Sequence, residues 1–338
     1  MKRGIVFLAL ILMVVSTLSF GKKLATLPGL LRPNFIVLDD QNIYICHGAE
    51  VRIYSRKDFS LKGSFGKAGS GPQEFQGGPG GGVALFVSPQ KENLLVSSIG
   101  KASIYSKEGK YISETRIPAG GMMIGLFQAL GDKFVGMGLA PGEDQSIAFT
   151  LNLFDSGFKK IKEIRKQDFM KKKSFTFPTV NPTFFVSNDK IVTVAGKDFV
   201  LNILDGEGNI VTTITRDYDR LSVTDSYKND VLGYFKEVAK DRFEFVKSML
   251  KFSDKFPAIQ NFVVNDGKIY IQTFVKEDDK YEFFIYDLDG KFLKRLFIHV
   301  NYPNILSPSP YTIKDDTLFQ LVENEDEEEW ELHAQEIK

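Results

Sequence analysis

Short runs of alternating apolar and polar residues, separated by clusters of Gly, Asn, Asp and Ser, occupy most of the chain beyond residue 33. Such runs are typical of β-strands joined by hairpin turns. A tight turn at Asp39–Gln41 separates the first two runs, and Arg56–Asp58 precedes the fourth. The first unit therefore has four predicted strands, at Asn34–Leu38, Asn42–Cys46, Val51–Ser55 and Leu61–Phe65.

The same arrangement recurs along the chain. Its marker is an apolar residue, often followed by an aromatic one and then by Ser or Asp at a turn. The copies begin at Ile53, Ile104, Leu153, Ile203 and Ile285, with a degenerate sixth copy at Leu332. Their starting positions are 51, 49, 50, 82 and 47 residues apart. A repeat of about 40 to 50 residues is the size of one four-stranded propeller blade. The sequence therefore predicts an all-β fold, a six-bladed β-propeller with four-stranded antiparallel blades.

The two ends of the chain complement each other. The sixth unit has only three predicted strands, around Tyr311, Leu318 and Trp330, while Lys22–Leu31 precedes the first unit without a place in it. We expect a strand near Leu24–Leu27 to complete the sixth blade, because an open sheet edge is a liability that closed propellers avoid.

The segment 217–256 breaks the alternation. Its apolar residues recur at three- and four-residue steps, which predicts a helical insertion between blades four and five. Thr224 or Asp225 is a suitable N-cap and Pro257 a suitable end. We expect the helix to cover apolar surface at one edge of the ring. Six of its aromatic residues favour the alternative of a lid over a ligand: Tyr234, Phe235, Phe243, Phe245, Phe252 and Phe256.

The run Ser64–Phe75, with the sequence SFGKAGSGPQEF, resembles the signature between blades of NHL-repeat propellers. The whole layout is similar to that of bacterial exported six-bladed β-propellers. The other inter-blade connections, such as those after Pro118 and Lys173, depart from the signature. The resemblance implies structural roles for Gly66, Gly69, Gly71, Pro72, Glu74 and Phe75, with Phe75 packing between blades. We expect the glycine tract Gly77–Gly82 to form a flexible approach to the central axis.

The N-terminus has the pattern of an export signal. Lys2 and Arg3 precede the apolar stretch Gly4–Leu18, and small residues at Ser19 and Gly21 mark a cleavage site. We expect a signal peptide over residues 1–21 and one mature domain over 22–338, located in the periplasm or outside a bacterial cell. A retained membrane anchor is the alternative. The only cysteine, Cys46, excludes an internal disulfide.

The net charge and the positions of the histidines and the cysteine exclude several classes of function. Lys plus Arg and Asp plus Glu both number 43, and this zero net charge argues against a nucleic-acid partner. The three histidines, His47, His299 and His333, lack zinc-site spacing. We expect Cys46 to be a packing residue rather than a nucleophile. No catalytic or metal-binding residue is predicted.

Two runs of like charge can be explained by structural roles that require no ligand. The acidic run 323–329 is expected to be a solvated hairpin tip, with calcium binding as the alternative. The basic run 159–173 spans an outer strand and the next connection, where lysines discourage edge-to-edge pairing. A patch for an acidic partner or headgroup is the alternative.

The sequence favours a binding or scaffold propeller that engages a protein, peptide or small-molecule ligand on its loop face. Candidate contact residues are Glu74, Phe75, Tyr234 and Phe235. The alternative is a metal-dependent, lactonase-like hydrolase or lyase in the central channel, with Asn34, Asn261 and Asn265 as candidates. Carboxylates that face the channel would favour the enzyme. A channel lined by Phe35, Phe86, Phe127 and Phe184 would favour the binding propeller. No cofactor is expected, calcium being the one alternative.

Overall fold

The structure, a computed structural model, describes residues 21–76, 85–117, 123–143, 146–171 and 173–338. The predicted signal sequence before Gly21, the glycine tract Gly77–Gly82 and Pro118 lie outside the described residues. Within them no helix is both long enough and apolar enough to cross a membrane.

Six four-stranded antiparallel sheets form the fold, and each corresponds to one predicted repeat. The first strand of every sheet contacts the first strands of its two neighbours, so these strands form a closed inner ring. The strands of blades 1 to 3 are Pro33–Leu38, Asn42–His47, Glu50–Ser55 and Leu61–Phe65; Phe86–Pro89, Asn93–Ser98, Lys101–Ser106 and Tyr111–Arg116; and Met123–Leu130, Lys133–Pro141, Ile147–Phe154 and Lys160–Met170. This arrangement confirms the predicted six-bladed β-propeller.

Blades 4 to 6 repeat the pattern. Their strands are Phe184–Ser187, Lys190–Val194, Val200–Leu204 and Ile210–Thr215; Asn261–Asn265, Lys268–Glu277, Lys280–Asp287 and Phe292–His299; and Tyr311–Lys314, Thr317–Asn324 and Glu329–Glu336. The hairpins between first and second strands contain paired residues with positive φ, such as Asn188 with Asp189 and Asp315 with Asp316. Asn, Asp and Gly tolerate this conformation, which tight hairpins require.

The core is divided into six layers, one at each interface between neighbouring blades. The layer between blades 1 and 2, for example, combines Tyr44 and Val51 of blade 1 with Leu94 and Tyr105 of blade 2. A blade therefore buries both of its faces, and its second strand is buried along nearly its whole length, as in blades 1 and 2.

The N-terminal strand closes the ring as expected. Lys22–Leu27 pairs antiparallel with Glu329–Glu336 and becomes the outer strand of blade 6. Leu27 and the following Leu30 are buried with Phe319 and Leu332 in the layer between blades 6 and 1. The N-terminal segment thus contributes both main-chain pairing and core contacts.

The insertion after blade 4 is helical, as predicted. Helix α1 spans Asp225–Ala239, and the Thr224 side chain accepts a 3.2 Å hydrogen bond from the Tyr227 N–H at its start. A 3-10 turn at Lys240–Arg242 interrupts the helical run before helix α2, Phe243–Met249. Lys240 adopts φ 47°, so the chain cannot continue as one helix there.

Two short parallel ribbons complete the connections. Leu250–Phe252, directly after α2, pairs with Phe175–Phe177 in the connection between blades 3 and 4. Lys67–Ala68 pairs with Glu74–Phe75 in the connection between blades 1 and 2. The first ribbon ties the insertion to a connection one blade away.

Candidate functional site

The propeller has two unlike faces. The loop face carries the connections between blades and the hairpins that join second to third strands, whereas the turn face carries the remaining hairpins. The described residues form a cavity at the centre of the ring and another between blades 3 and 4. We call them the funnel and the cleft.

The funnel is the turn-face mouth of the central channel, a cavity of about 750 Å³. Phenylalanines from four successive blades line it: Phe35, Phe86, Phe127 and Phe184. The rings of Phe35 and Phe86 meet edge to face, 5.6 Å apart between centroids. We expect this aromatic lining of a binding propeller rather than of a metal-dependent channel enzyme.

Two carboxylates at the rim of the funnel, Asp39 and Asp40, have cationic partners. Asp39 accepts hydrogen bonds from the Asn42 N–H (2.7 Å), the Tyr44 hydroxyl (2.9 Å) and Lys107 Nζ (2.7 Å). Burial opposes ionisation of Asp39, but the Lys107 ammonium and these donors outweigh it and lower its pKa. Asp40 lies 3.3 Å from Lys314 Nζ. Among the described residues no three His, Cys, Asp or Glu side chains are grouped as a metal site.

The cleft lies between blades 3 and 4 and has a volume of about 1120 Å³. Its first wall is the outer strand of blade 3, with Arg165 and Gln167, and its second wall is formed by Thr193 and Asn202 of blade 4. The blade 3 to 4 connection, including Thr179, borders it on the loop face. A volume of this size accommodates an extended segment as well as a small molecule.

An aromatic series, which we call the roof, runs from Phe149 and Phe169 in the cleft lining to the helical insertion. Phe169 contacts Phe149 and Phe175, at centroid distances of 4.7 and 6.5 Å. Phe175 contacts Phe177 at 5.8 Å, and Phe177 contacts Phe235 of helix α1 at 5.7 Å. This series links the third strand of blade 3 to the insertion.

The parallel ribbon reinforces the roof, because the Ser253 N–H donates a 2.9 Å hydrogen bond to the Phe177 carbonyl. The insertion therefore docks on the connection beside the cleft. Lys251, which follows α2, reaches the cleft lining as a result.

Positive charge dominates the cleft. Its lining holds Arg165, Lys166, Lys171, Lys197 and Lys251, against a single carboxylate, Asp168. Asp168 pairs with Lys171 at 2.8 Å. Among the described residues the other four cations have no carboxylate within ion-pair distance. In a chain of zero net charge, this is a local concentration of cations.

Arg165 is the most buried of these cations. Its guanidinium donates to the carbonyls of Val194 and, at 2.5 Å, of Pro182, so it bridges the two blades. Burial lowers the pKa of Arg165 to about 10, and the side chain stays charged at neutral pH. Its Nε is buried without a hydrogen-bond partner among the described residues.

The structure places the first pair of predicted contact residues in the connection after blade 1. Phe75 is fully buried between blades 1 and 2, which confirms its expected packing role. Glu74 folds back on its own loop, where its carboxylate accepts 2.9 and 3.0 Å contacts from the Gly71 N–H and Lys67 Nζ. A side chain on Gly69 would collide with this carboxylate, which explains that glycine.

Tyr234 and Phe235 lie on helix α1, and their rings contact each other edge to face at 5.6 Å. Both are half-buried, and neither lines the cleft itself. The first pair and the second pair thus belong to different connections, after blade 1 and after blade 4, each with its own neighbours. Ligand contact by any of the four stays a prediction.

The remaining candidates have structural partners. Asn261 donates to the Tyr311 hydroxyl at 2.8 Å, and Asn265 donates to the Ile313 carbonyl at 2.7 Å. Asn34 is exposed at the start of its strand. Cys46 is buried, and burial raises the pKa of its thiol far above the ordinary value. The acidic run forms the exposed hairpin tip of blade 6, as expected.

Sequence reasoning identified the basic run but not its partners across the cleft. Arg165 and Lys166 belong to that run, whereas Lys197 and Lys251 come from two distant segments. Their convergence depends on the ribbon between Phe175–Phe177 and Leu250–Phe252. The basic run and the recurring aromatics of the insertion both pointed to this region.

Comparison with known proteins identifies the fold. The chain is similar to a putative exported protein from Bacteroides fragilis, with a TM-score of 0.54, 13% identity and coverage of 94% of each chain. It is also similar to a member of the DUF4221 family from Bacteroides vulgatus, with a TM-score of 0.52, 9% identity and coverage of 89% of this chain and 91% of that one. The shared feature is the propeller. No family model matches the chain. No curated protein matches it either.

Proposed function

We propose that this protein is an exported binding propeller that holds its ligand in the cleft between blades 3 and 4, beside the helical insertion. The carrying observation is the cleft itself, a cavity of about 1120 Å³ lined by blade 3, by blade 4 with the connection before it, and by Lys251 after helix α2. Tyr234 and Phe235 serve in this proposal as roof residues that order the site. No cofactor is required.

Several features support binding over catalysis. The funnel, where a channel enzyme would place its metal, is lined by phenylalanines, and Asp39 at its rim is fully engaged. The cleft instead presents hydroxyl and amide groups from Thr176, Thr179 and Asn202 beside cations without carboxylate partners. Pockets with a few convergent polar groups are typical ligand sites.

Export and family membership belong to the same proposal. The pattern of Lys2, Arg3 and Gly4–Leu18 supports a signal peptide, cleaved after Gly21. The location is then the periplasm or the cell exterior. The blade 1 to 2 connection supports an NHL-like origin, because Gly66 and Gly69 both adopt positive φ in it. In this proposal Glu74 and Phe75 stabilise the connection, and the ligand is bound by residues of the cleft instead.

A thermal-shift screen with paired variants tests the site. The mature chain is melted with a library of sugars, peptides and small organic acids, because a ligand that binds only the folded state raises Tm. The screen is repeated with Thr179→Trp, which fills the cleft, and with Gln41→Trp, which fills the funnel. Both positions are exposed, so both variants should fold.

We expect a ligand-induced rise that Thr179→Trp abolishes and Gln41→Trp retains. A rise that survives Thr179→Trp but disappears in Gln41→Trp would place the site in the funnel and refute the proposal.

A further inference from the structure

The outer strand of blade 3 is unusual among the blades. Lys160–Met170 has 11 residues, whereas the other outer strands among the described residues have five to eight. It is the terminal strand of its sheet, paired only with Ile147–Phe154 within that sheet. A long terminal strand presents main-chain donors and acceptors that another extended segment can pair with.

The main chain of this strand borders the cleft. Arg165 donates to the Val194 and Pro182 carbonyls, and Gln167 Nε2 lies 3.5 Å from the Val180 oxygen, so both side chains face blade 4. Successive side chains of a strand point to opposite faces. Lys166 and Asp168 nevertheless line the same cavity. The cavity therefore extends around the strand edge between them, which has no partner strand in the sheet.

The accessible edge has the length of a short peptide. The lining residues Ile164–Phe169 are consecutive, and at about 3.3 Å per residue six of them span roughly 20 Å. Lys166 lies on this edge, while Lys197 and Lys251 approach from the opposite wall and from the roof. An extended segment lying along the edge would therefore meet cations on its far side.

We propose that the cleft takes an extended acidic peptide segment of a partner protein, which adds to Lys160–Met170 as a further strand. The proposal rests on the cleft being the binding site. Main-chain hydrogen bonds supply affinity in this mode of recognition, and complementary charge selects the partner. The partner's carboxylates pair with Lys166, Lys197 and Lys251.

Two other occupants fit less well. A second copy of the chain would place the basic strand Lys160–Met170 against itself, and like charges oppose that pairing. An anionic polysaccharide would satisfy the lysines but not the alternating donors and acceptors of the strand edge. Both are outcomes that the experiment separates.

Fluorescence anisotropy with a labelled peptide tests the proposal. The probe is a decapeptide of alternating threonine and glutamate, with a threonine and glutamine peptide of the same length as the neutral control. Two further probes carry N-methyl groups on all the threonines or on all the glutamates. The N–H groups of alternate residues point to the same side of a strand, so only one of these two sets faces the edge. Polyglucuronate is the competing polyanion.

The protein variants distinguish a loss of charge contacts from a loss of folding. Lys197→Glu combined with Lys251→Glu reverses the charge of the far wall and roof. Lys110→Glu, an equally exposed lysine in the third-to-outer hairpin of blade 2, is the matched control. Unchanged Tm values verify that each variant is folded.

We expect the acidic peptide to bind the mature chain and the neutral one to bind at least about tenfold more weakly. One N-methylated peptide should lose about tenfold or more while the other keeps its affinity. The double charge reversal should weaken binding by about tenfold or more, and Lys110→Glu by less than about twofold.

Equal binding of both N-methylated peptides and the unmodified one would overturn strand addition. Binding of polyglucuronate alone, lost in Thr179→Trp and in the double reversal, would overturn the peptide inference but leave the cleft as the binding site. Binding of either probe that Thr179→Trp does not affect would overturn both proposals.

Discussion

Lys23 Nζ lies 2.6 Å from Glu331 Oε1 and thereby joins the first strand of the described chain to its last. Asn324 Nδ2 and His333 Nε2 also contact the Glu331 carboxylate, at 2.9 and 2.8 Å. The closure of the ring is therefore a polar network beside the apolar layer that contains Leu27 and Leu30.

This network makes closure sensitive to acid. Burial opposes ionisation of Glu331, but hydrogen bonds from Lys23, Asn324 and His333 outweigh it and lower its pKa to about 2 from 4.5. A lowered folded-state pKa stabilises the fold above the unfolded pKa, and that contribution disappears as the pH falls from about 4.5 towards 2. Glu331→Gln should lower the free energy of unfolding by roughly 1–3 kcal/mol at pH 7 and flatten its dependence on pH below about 4.5.

Urea unfolding between pH 2 and pH 7 measures this effect. Glu325→Gln, in the exposed tip of the same blade, is the control and should follow the native curve. An unchanged pH profile in Glu331→Gln would show that the network does not stabilise closure.

The apolar part of closure has a matched pair of test residues. Leu30 and Leu31 are neighbours, but Leu30 is 2% exposed and Leu31 is 76% exposed. Leu30→Ala should lower the free energy of unfolding by about 2–4 kcal/mol, because it removes buried methyl groups and leaves a cavity. Leu31→Ala should change it by less than about 0.5 kcal/mol. Similar losses in both variants, measured by chemical denaturation, would contradict the closure described above.

The docking of the insertion depends on the aromatic roof. Phe177→Ala removes the ring that joins Phe175 to Phe235, so the hydrogens of the α1 main-chain amides should exchange faster, by about tenfold or more. Phe245→Ala is the control, because Phe245 lies in α2 and is 67% exposed. Hydrogen exchange read out by mass spectrometry measures both. Unchanged exchange in Phe177→Ala would mean that the helices dock by other contacts.

Calcium should not stabilise the protein. The Asp39 carboxylate at the funnel rim is occupied by Lys107, Tyr44 and main-chain donors, and it would have to lose them to bind a cation. We expect Tm to change by less than about 1 °C between a chelator and millimolar calcium. A rise of several degrees with calcium would support the channel enzyme instead.

The architecture could be predicted from the sequence because it is a local property repeated six times. Each blade carries its own alternation and its own Asn, Asp or Gly turn, as at Asn188–Asp189 and Asp315–Asp316. The closure was predictable for a related reason, since a missing strand at one end matched a spare segment at the other. Thr224 or Asp225 likewise marked the start of α1, and the structure has Thr224 as the N-cap.

The cleft could not be predicted in this way. It depends on a ribbon that pairs residues 75 positions apart, Phe175 with Leu250, and neither segment has a strong strand pattern of its own. The break at Lys240 could not be predicted either. The apolar spacing continues from α1 into α2, although Lys240 adopts φ 47° and a 3-10 turn separates the two helices. Side-chain convergence across distant segments has no periodic signal in the sequence.

The most direct test of the cleft as the binding site is hydrogen exchange of the mature chain, with and without the ligand that gives the largest rise in Tm. We expect slower exchange in Lys160–Met170, in the connection through Phe175–Phe177 and in Leu250–Phe252. The exchange rates of the inner strands should not change. Protection confined to the inner strands around the funnel, such as Pro33–Leu38 and Phe86–Pro89, would contradict this expectation.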